Sequence, residues 1–291
     1  MGDICPQWHA ATQTVLLTGK TFGFRPDPGA TGDRDDRSFE RVAYAVFSPS
    51  KGTWTEMKTV TLPEKDHAGR PILEPNSGCH QRVDLPNGEI LLPMRYRANP
   101  ESRQYTTMVA RCTFDGNTLT YREHGSELTF EGKRGLYEPS VVKFGDRYFL
   151  TMRADESAFV SVSDDGLNYS DPVEWKFDDG AVLGNYNSQQ HWIVRGNTLY
   201  LVYPRRGANN DHVFRHRAPL FIARVDAKKL NVIRASEQVL MPETGVDLAG
   251  GFGVVDYGNR ETWVVSTEMG FPQDRRQEPN RVLLARILWN D

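Results

Sequence analysis

Short apolar runs bounded by turn residues dominate the chain. Val15-Leu16-Leu17, Val42 to Phe47, Ile90 to Leu92, Met108 to Ala110, Tyr148 to Leu150, Leu199 to Tyr203, Leu220 to Ala223, Trp263 to Val265 and Val282 to Leu284 are the clearest. Length, β-branched content and flanking polar turns predict strands. No stretch sustains a 3.6-residue period; Lys228 to Glu237 comes nearest and reads as a turn followed by an edge strand. An all-β protein follows.

The runs repeat in pairs. Val83 to Leu92, Val141 to Leu150 and Trp192 to Leu201 are each a strand, a tight polar turn and a second strand. Gly253 to Trp263 is a weaker copy and Trp8 to Leu17 a degraded one. A further hairpin follows each, and the units recur every ~50–75 residues, which predicts four-stranded modules in series, a β-propeller. Five blades are visible, near 1–70, 76–130, 134–180, 185–245 and 249–291, in one domain spanning 1–291. A sixth is possible if an N-terminal blade is missing. Arg25 to Arg37 and Glu64 to Ser77 read as inserted loops.

In a propeller the starts of the innermost strands and the ends of the next strands share one mouth. The repeat places His80, Glu138 and Gln189-Gln190-His191 at the starts. It places Arg95 and Arg97, Arg153 with Asp155 and Glu156, and Arg205 and Arg206 at the ends. Arg recurs in three consecutive blades, and an inward Arg needs a carboxylate or an anionic ligand. The segment Arg205 to Arg217 adds Asn209, Asn210, Asp211, His212, Arg215 and Arg217 between two strands, at a formal charge of +3 in a chain whose total is -3. Guanidinium forks of this kind suit carboxylate, sulfate or phosphate. The structural alternative for Glu138 is to hold Arg153. Trp8, Trp192 and Trp263 read as core.

Ser163-Asp164-Asp165-Gly166-Leu167-Asn168-Tyr169 resembles a shortened Asp-box, the hairpin turn of sialidase-type propellers. Gly135 to Ser140, Tyr186 to Trp192 and Arg205 to Leu220 are similar to bacterial BNR-repeat proteins of the sialidase-like family. The resemblance implies a sialidase-like propeller whose Arg triad grips a sugar carboxylate, with Arg95, Arg153 and Arg205 as its candidates. It also implies a Tyr nucleophile, for which Tyr203 stands beside the proposed Arg positions. The N-terminal Arg-Ile-Pro motif and a series of full Asp-boxes are absent.

Three activities fit these residues. The first is exo-hydrolysis of an acidic glycan, with Glu138, Asp155 or Glu156 as acid and base. The second is β-elimination on a uronate polysaccharide, with His191 or His212 removing the proton. The third is glycan binding without chemistry. The expected partner is an acidic oligosaccharide and no cofactor or metal is called for. The mild negative charge argues against nucleic acid, and no run reaches the length of a membrane span. Cys5, Cys79 and Cys112 lack zinc or disulfide spacing and read as free thiols. No signal peptide is visible; the abrupt start fits a missing leader or first structural unit, and localisation stays unassigned.

Overall fold

The computed structural model describes residues 1–21, 23–25, 34–36, 40–244, 248–258, 260–268 and 281–290. These residues form a five-blade all-β propeller in which neighbouring strands of each blade are antiparallel and follow chain order. Blade 1 comprises β1 (Gly2–His9), β2 (Thr14–Lys20) and β5 (Val42–Ser48), with β6 (Thr53–Trp54) and β7 (Lys58–Thr59) on its outer edge. The small hairpin of β3 (Gly23–Arg25) and β4 (Arg34–Asp36) lies within the first insertion; its remaining residues fall outside those described. In blade 2 the innermost strand is split into β8 (Leu73–Asn76) and β9 (Val83–Asp84), both paired to β10 (Ile90–Arg97), followed by β11 (Tyr105–Phe114) and β12 (Leu119–His124).

Blade 3 is β13 (Tyr137–Phe144), β14 (Arg147–Arg153), β15 (Ala158–Ser163) and β16 (Val173–Glu174). Blade 4 is β17 (His191–Arg195), β18 (Thr198–Pro204) and β19 (Leu220–Asp226), edged by β20 (Asn231–Val232) and β21 (Gln238–Met241). A 3₁₀ turn over Arg234–Ser236 separates those edge strands. Among the described residues, blade 5 has three strands, β22 (Leu248–Tyr257), β23 (Glu261–Glu268) and β24 (Arg281–Leu288).

Inward-facing apolar residues meet between successive blades. Leu16, Tyr44, Met94 and Met108 fill the space between blades 1 and 2, and Leu91, Val109, Leu150 and Met152 that between 2 and 3. Phe149, Trp175, Trp192 and Leu201 fill the next, and Ile193, Val202, Phe252 and Val264 the last. Trp192 is core as expected. Trp8 is not: it lies on the exposed side of β1, half accessible, because its neighbour His9 takes the inward position. The Ser163–Tyr169 turn is built by its side chains. Asp165 Oδ1 accepts the amides of Leu167 (2.8 Å) and Asn168 (2.7 Å), Gly166 adopts φ +80°, and Tyr169 is buried beneath. The three cysteines are free thiols.

The mouth end of the innermost strands is irregular in a repeated way. The ladder slips between Gly2 and Cys5 in blade 1, between Leu73 and Asn76 in blade 2 and between Tyr137 and Ser140 in blade 3. Each slip contains a non-glycine residue with positive φ: Asp3 (50°), Glu74 (48°) and Glu138 (47°). Asn187 (48°), just before β17, continues the series in blade 4. Bulges re-aim side chains, and strained backbone gathers at functional sites. In blades 1 and 3 the bulged residues Asp3 and Glu138 reach one cavity, while Glu74 pairs with Arg97.

Candidate functional site

A cavity of about 80 Å³ opens at this end. Asp3, Lys20, Asn76, Gly78, Arg95, Tyr105, Arg134, Tyr137 and Glu138 line it, so blades 1, 2 and 3 all contribute. Two glycines permit the close approach. A Cβ on Gly78 would sit 2.5 Å from the Asp3 Cβ, and one on Gly135 would sit 2.3 Å from the Tyr105 carbonyl. Gly135 thereby lets the loop before β13 lie against β11, which delivers Arg134.

Each cation has a fixed place. Arg95 is held by the fully buried Glu40 (Nη2 to Oε2, 2.5 Å) and by the Glu74 carbonyl (2.9 Å), and its guanidinium lies 4.0 Å above the Tyr105 ring. Lys20 bridges Glu40 (3.1 Å) and Asp3 (3.2 Å). Arg134 forks onto Asp155, which also accepts from Tyr137 Oη (2.8 Å). Arg153 pairs with Glu138 through Nη1. Asn187 ties the group together: its Oδ1 accepts from Arg153 (2.5 Å) and Arg134 (3.0 Å), and its carbonyl accepts from Arg217 (3.4 Å). The Tyr137 ring lies 4.8 Å from both the Arg134 and Arg153 guanidinium carbons.

The electrostatics show crowded positive charge. Burial, together with Arg153 and Arg215, lowers the Arg217 pKa to about 10. Arg215 is lowered by burial and by Arg153 and Arg134. For Asp155, burial is outweighed by hydrogen bonds from Arg134 and Tyr137, and its pKa falls below the usual carboxylate range. Burial pushes the Tyr137 phenol up in spite of Arg153 and Arg134. Arg153 Nε is buried without a hydrogen-bond partner, as are Glu74 Oε2 and Ser188 Oγ, and such orphans call for a reason.

The structure brings together Glu138, Asp155, Arg95, Arg153, Arg217 and Arg215 from the sequence-derived set. It separates the others. Arg205 points elsewhere: its guanidinium binds Glu237 (2.8 and 2.5 Å) and lies 4.7 Å from the Phe221 ring. Tyr203 binds the same Glu237 (2.7 Å) and is fully buried, so it offers no nucleophile at the mouth. The cause is one residue of register. Counting from the matched Leu92, Leu150 and Leu201, three steps lead to Arg95, Arg153 and Pro204; Arg205 lies one step beyond, and a one-residue shift in a strand reverses the face. The third guanidinium of the mouth comes instead from Arg134, with Arg217 behind it.

Further corrections concern the rim. Arg206 donates to the Glu156 carbonyl (2.9 Å) and stacks on Tyr186, while Glu156 itself is exposed and meets Lys133 (3.1 Å). Arg97 pairs with Glu74 (3.5 Å) and the Pro100 carbonyl (3.1 Å). Asn210 is a loop staple, donating to the carbonyls of Arg205 (2.9 Å) and Ala218 (2.8 Å). Asn209 is exposed in a left-handed turn (φ 54°), Asp211 is exposed and meets His216 (3.1 Å), and His212 meets Glu243 (3.1 Å) at the surface.

His80, Gln190 and His191 are buried and do not line the cavity. Gln189 Nε2 lies 2.9 Å from His191 Nε2, and His191 Nδ1 lies 2.8 Å from Ser140 Oγ, so both ring nitrogens are engaged within the core. Neither nitrogen is left to take a substrate proton. His80 Nε2 lies 3.1 Å from Thr18 Oγ1, and Gln190 Oε1 lies 3.2 Å from Thr151 Oγ1. Desolvation lowers the pKa of His191 to about 4, and that of His80, with help from Arg82, to about 3.

The fold is shared with solved propellers. A Dyadobacter fermentans protein of unknown function superposes with a TM-score of 0.64 at 15% identity over 97% of this chain and 75% of its own. A Trypanosoma rangeli sialidase solved with sialic acid gives 0.60 at 13% identity over 94% of this chain, which spans 42% of that protein. The β-xylosidase RS223 gives 0.57 at 10% identity over 99% of this chain and 92% of its own. No family model and no curated protein matches the chain in sequence. The neighbours establish an all-β propeller on which glycosidases are built; at these identities they carry no more.

Proposed function

We propose that this protein is a glycoside hydrolase acting on an acidic glycan, with Asp3 and Glu138 as the working carboxylates. The observation that carries the reading is the composition of the mouth. Among the described residues, three cations, Lys20, Arg95 and Arg134, line the cavity against two carboxylates, Asp3 and Glu138, and Arg153 and Arg215 lie close enough to Arg217 to help burial lower its pKa. A sugar carboxylate relieves that excess. Asp3 and Glu138 line the same cavity and come from equivalent bulges of blades 1 and 3. A carboxyl pair on either side of a glycosidic oxygen is what protonating the leaving group and stabilising an oxocarbenium-like state require.

Two mechanisms considered from sequence find less support. A tyrosine nucleophile would fall to Tyr137, the phenol beside Glu138, but its hydroxyl is engaged by Asp155 and its pKa is raised. β-Elimination loses support from both candidate bases, His191 through its buried hydrogen bonds and His212 through its surface pairing with Glu243, outside the cavity lining. The test is product analysis on a panel of acidic oligosaccharides. New reducing ends without unsaturated uronate are expected. Unsaturated products would replace the reading by a lyase, and saturable binding with neither product by a glycan-binding module.

A further inference from the structure

Far from the mouth, on the outer edge of blade 2, His67, His124 and Glu127 bring two imidazoles and a carboxylate together, with one ligand atom from each within 4.8 Å of the others. We propose that these residues bind one divalent transition-metal ion, zinc by preference, which staples the loop before β8 to the end of β12.

The donor set is two nitrogens and one oxygen, the combination that zinc accepts with further positions left to water. Glu127 Oε1 lies 3.0 Å from His124 Nε2 and 3.6 Å from His67 Nδ1. Ligands sharing one zinc through bonds of about 2.0–2.2 Å stand ~3.4 Å apart at tetrahedral angles, so these separations straddle the required value. The two rings stack almost parallel, 4.1 Å between centroids and 5° between planes. His67 is the solvent-side member, with 64% of its side chain exposed, and has room to tilt its lone pair inward.

Outer groups are already placed to orient the ligands. Tyr121 Oη lies 2.7 Å from His124 Nδ1, so a proton on Nδ1 directed at the phenol leaves the Nε2 lone pair facing Glu127. In that tautomer a carboxylate oxygen and a nitrogen lone pair confront each other at 3.0 Å, an arrangement that a cation between them stabilises. Glu127 Oε2 is fixed by Arg70 (3.2 Å), which is fixed in turn by Asp66 (2.7 Å). Second partners of this kind are what set ligand orientation in metal sites.

The consequence lies in where the loop leads. Asp66 accepts the Tyr96 hydroxyl (2.7 Å), and the chain runs on into β8, which carries Asn76 to the mouth. A metal on His67 therefore tightens the approach to blade 2's share of the cavity without touching it.

The experiment is titration of the chelator-treated full chain with zinc chloride by calorimetry. Cobalt(II) is added in parallel to read ligand-field absorption in the visible. One equivalent is expected to bind with proton release, to raise the melting temperature by a few degrees, and to give a cobalt spectrum typical of nitrogen and oxygen ligands. His67→Ala removes an exposed side chain and leaves the fold intact; it is expected to weaken binding by at least about tenfold. Glu127→Gln is expected to do the same. Zinc binding of equal strength in His67→Ala, or no saturable binding by the wild-type chain, overturns the proposal and leaves the trio as a hydrogen-bonded cluster.

Discussion

Exchanging Glu138 for glutamine slows turnover of an acidic glycoside by about 10²–10⁴-fold, the usual loss when a positioned proton-transfer carboxyl is removed, while the substrate still binds. Glutamine keeps the shape and one acceptor for Arg153, and Arg153 retains Asn187 Oδ1 as a second acceptor. The guanidinium therefore stays in place, and the variant loses charge rather than architecture. The competing role for Glu138 is to anchor Arg153 and nothing more. In that case the Glu138→Gln protein loses thermal stability and affinity together, and its turnover per bound substrate hardly changes. Steady-state kinetics, with kcat and KM separated, and a melting curve on the same preparation tell the two apart.

Acidification from pH 7 to 4.5 destabilises the folded protein by several kcal/mol, at up to about 1.4 kcal/mol per pH unit for each of two histidines. His191 and His80 are the cause. Unfolded, each imidazole takes a proton near its ordinary value of about 6.5; folded, the values are about 4 and about 3. Between those limits the unfolded chain binds more protons than the native state, so stability rises with pH. The contribution is complete above the unfolded value and drains away as pH falls toward the folded ones. Asp155 and Asp66, whose values are lowered, add acid sensitivity only below the ordinary carboxylate range, so the upper window belongs to the histidines. Denaturant midpoints across that window check the slope. His191→Asn, which can still place a donor at Ser140, is expected to flatten it. A slope unchanged by that substitution would mean that another group titrates there.

Most of the architecture was legible because hairpin, turn and strand recur with the same polarity in every blade. Arg95 and Arg153 were legible for the same reason, since both sit three residues past a matched leucine. Arg205 departs from that pattern. Charge attracts attention, but alternation decides the face, and the matched position in blade 4 is Pro204. Arg134 and Asn187 carried no periodic signal, because they stand in loops outside the strands. They reach the mouth through contacts that only folding defines, such as Gly135 against Tyr105. Asp3 was within reach of the sequence: it occupies in β1 the place that Glu138 occupies in β13, but the degraded first hairpin hid the match. The bulges that aim both carboxylates leave no trace in composition.

The central claim is that the cations at the mouth recognise a sugar carboxylate, and an equilibrium titration of the wild-type protein and Arg134→Met, which alters a cation that lines the cavity, tests it most directly. The ligands are a uronic acid and its neutral hexose counterpart. A charge-assisted hydrogen bond contributes about 1.5–3 kcal/mol, so the account predicts saturable binding of the acid, little of the hexose, and roughly 10–100-fold weaker acid binding in Arg134→Met. Equal binding of acid and hexose, or an affinity for the acid that Arg134→Met leaves untouched, would contradict it.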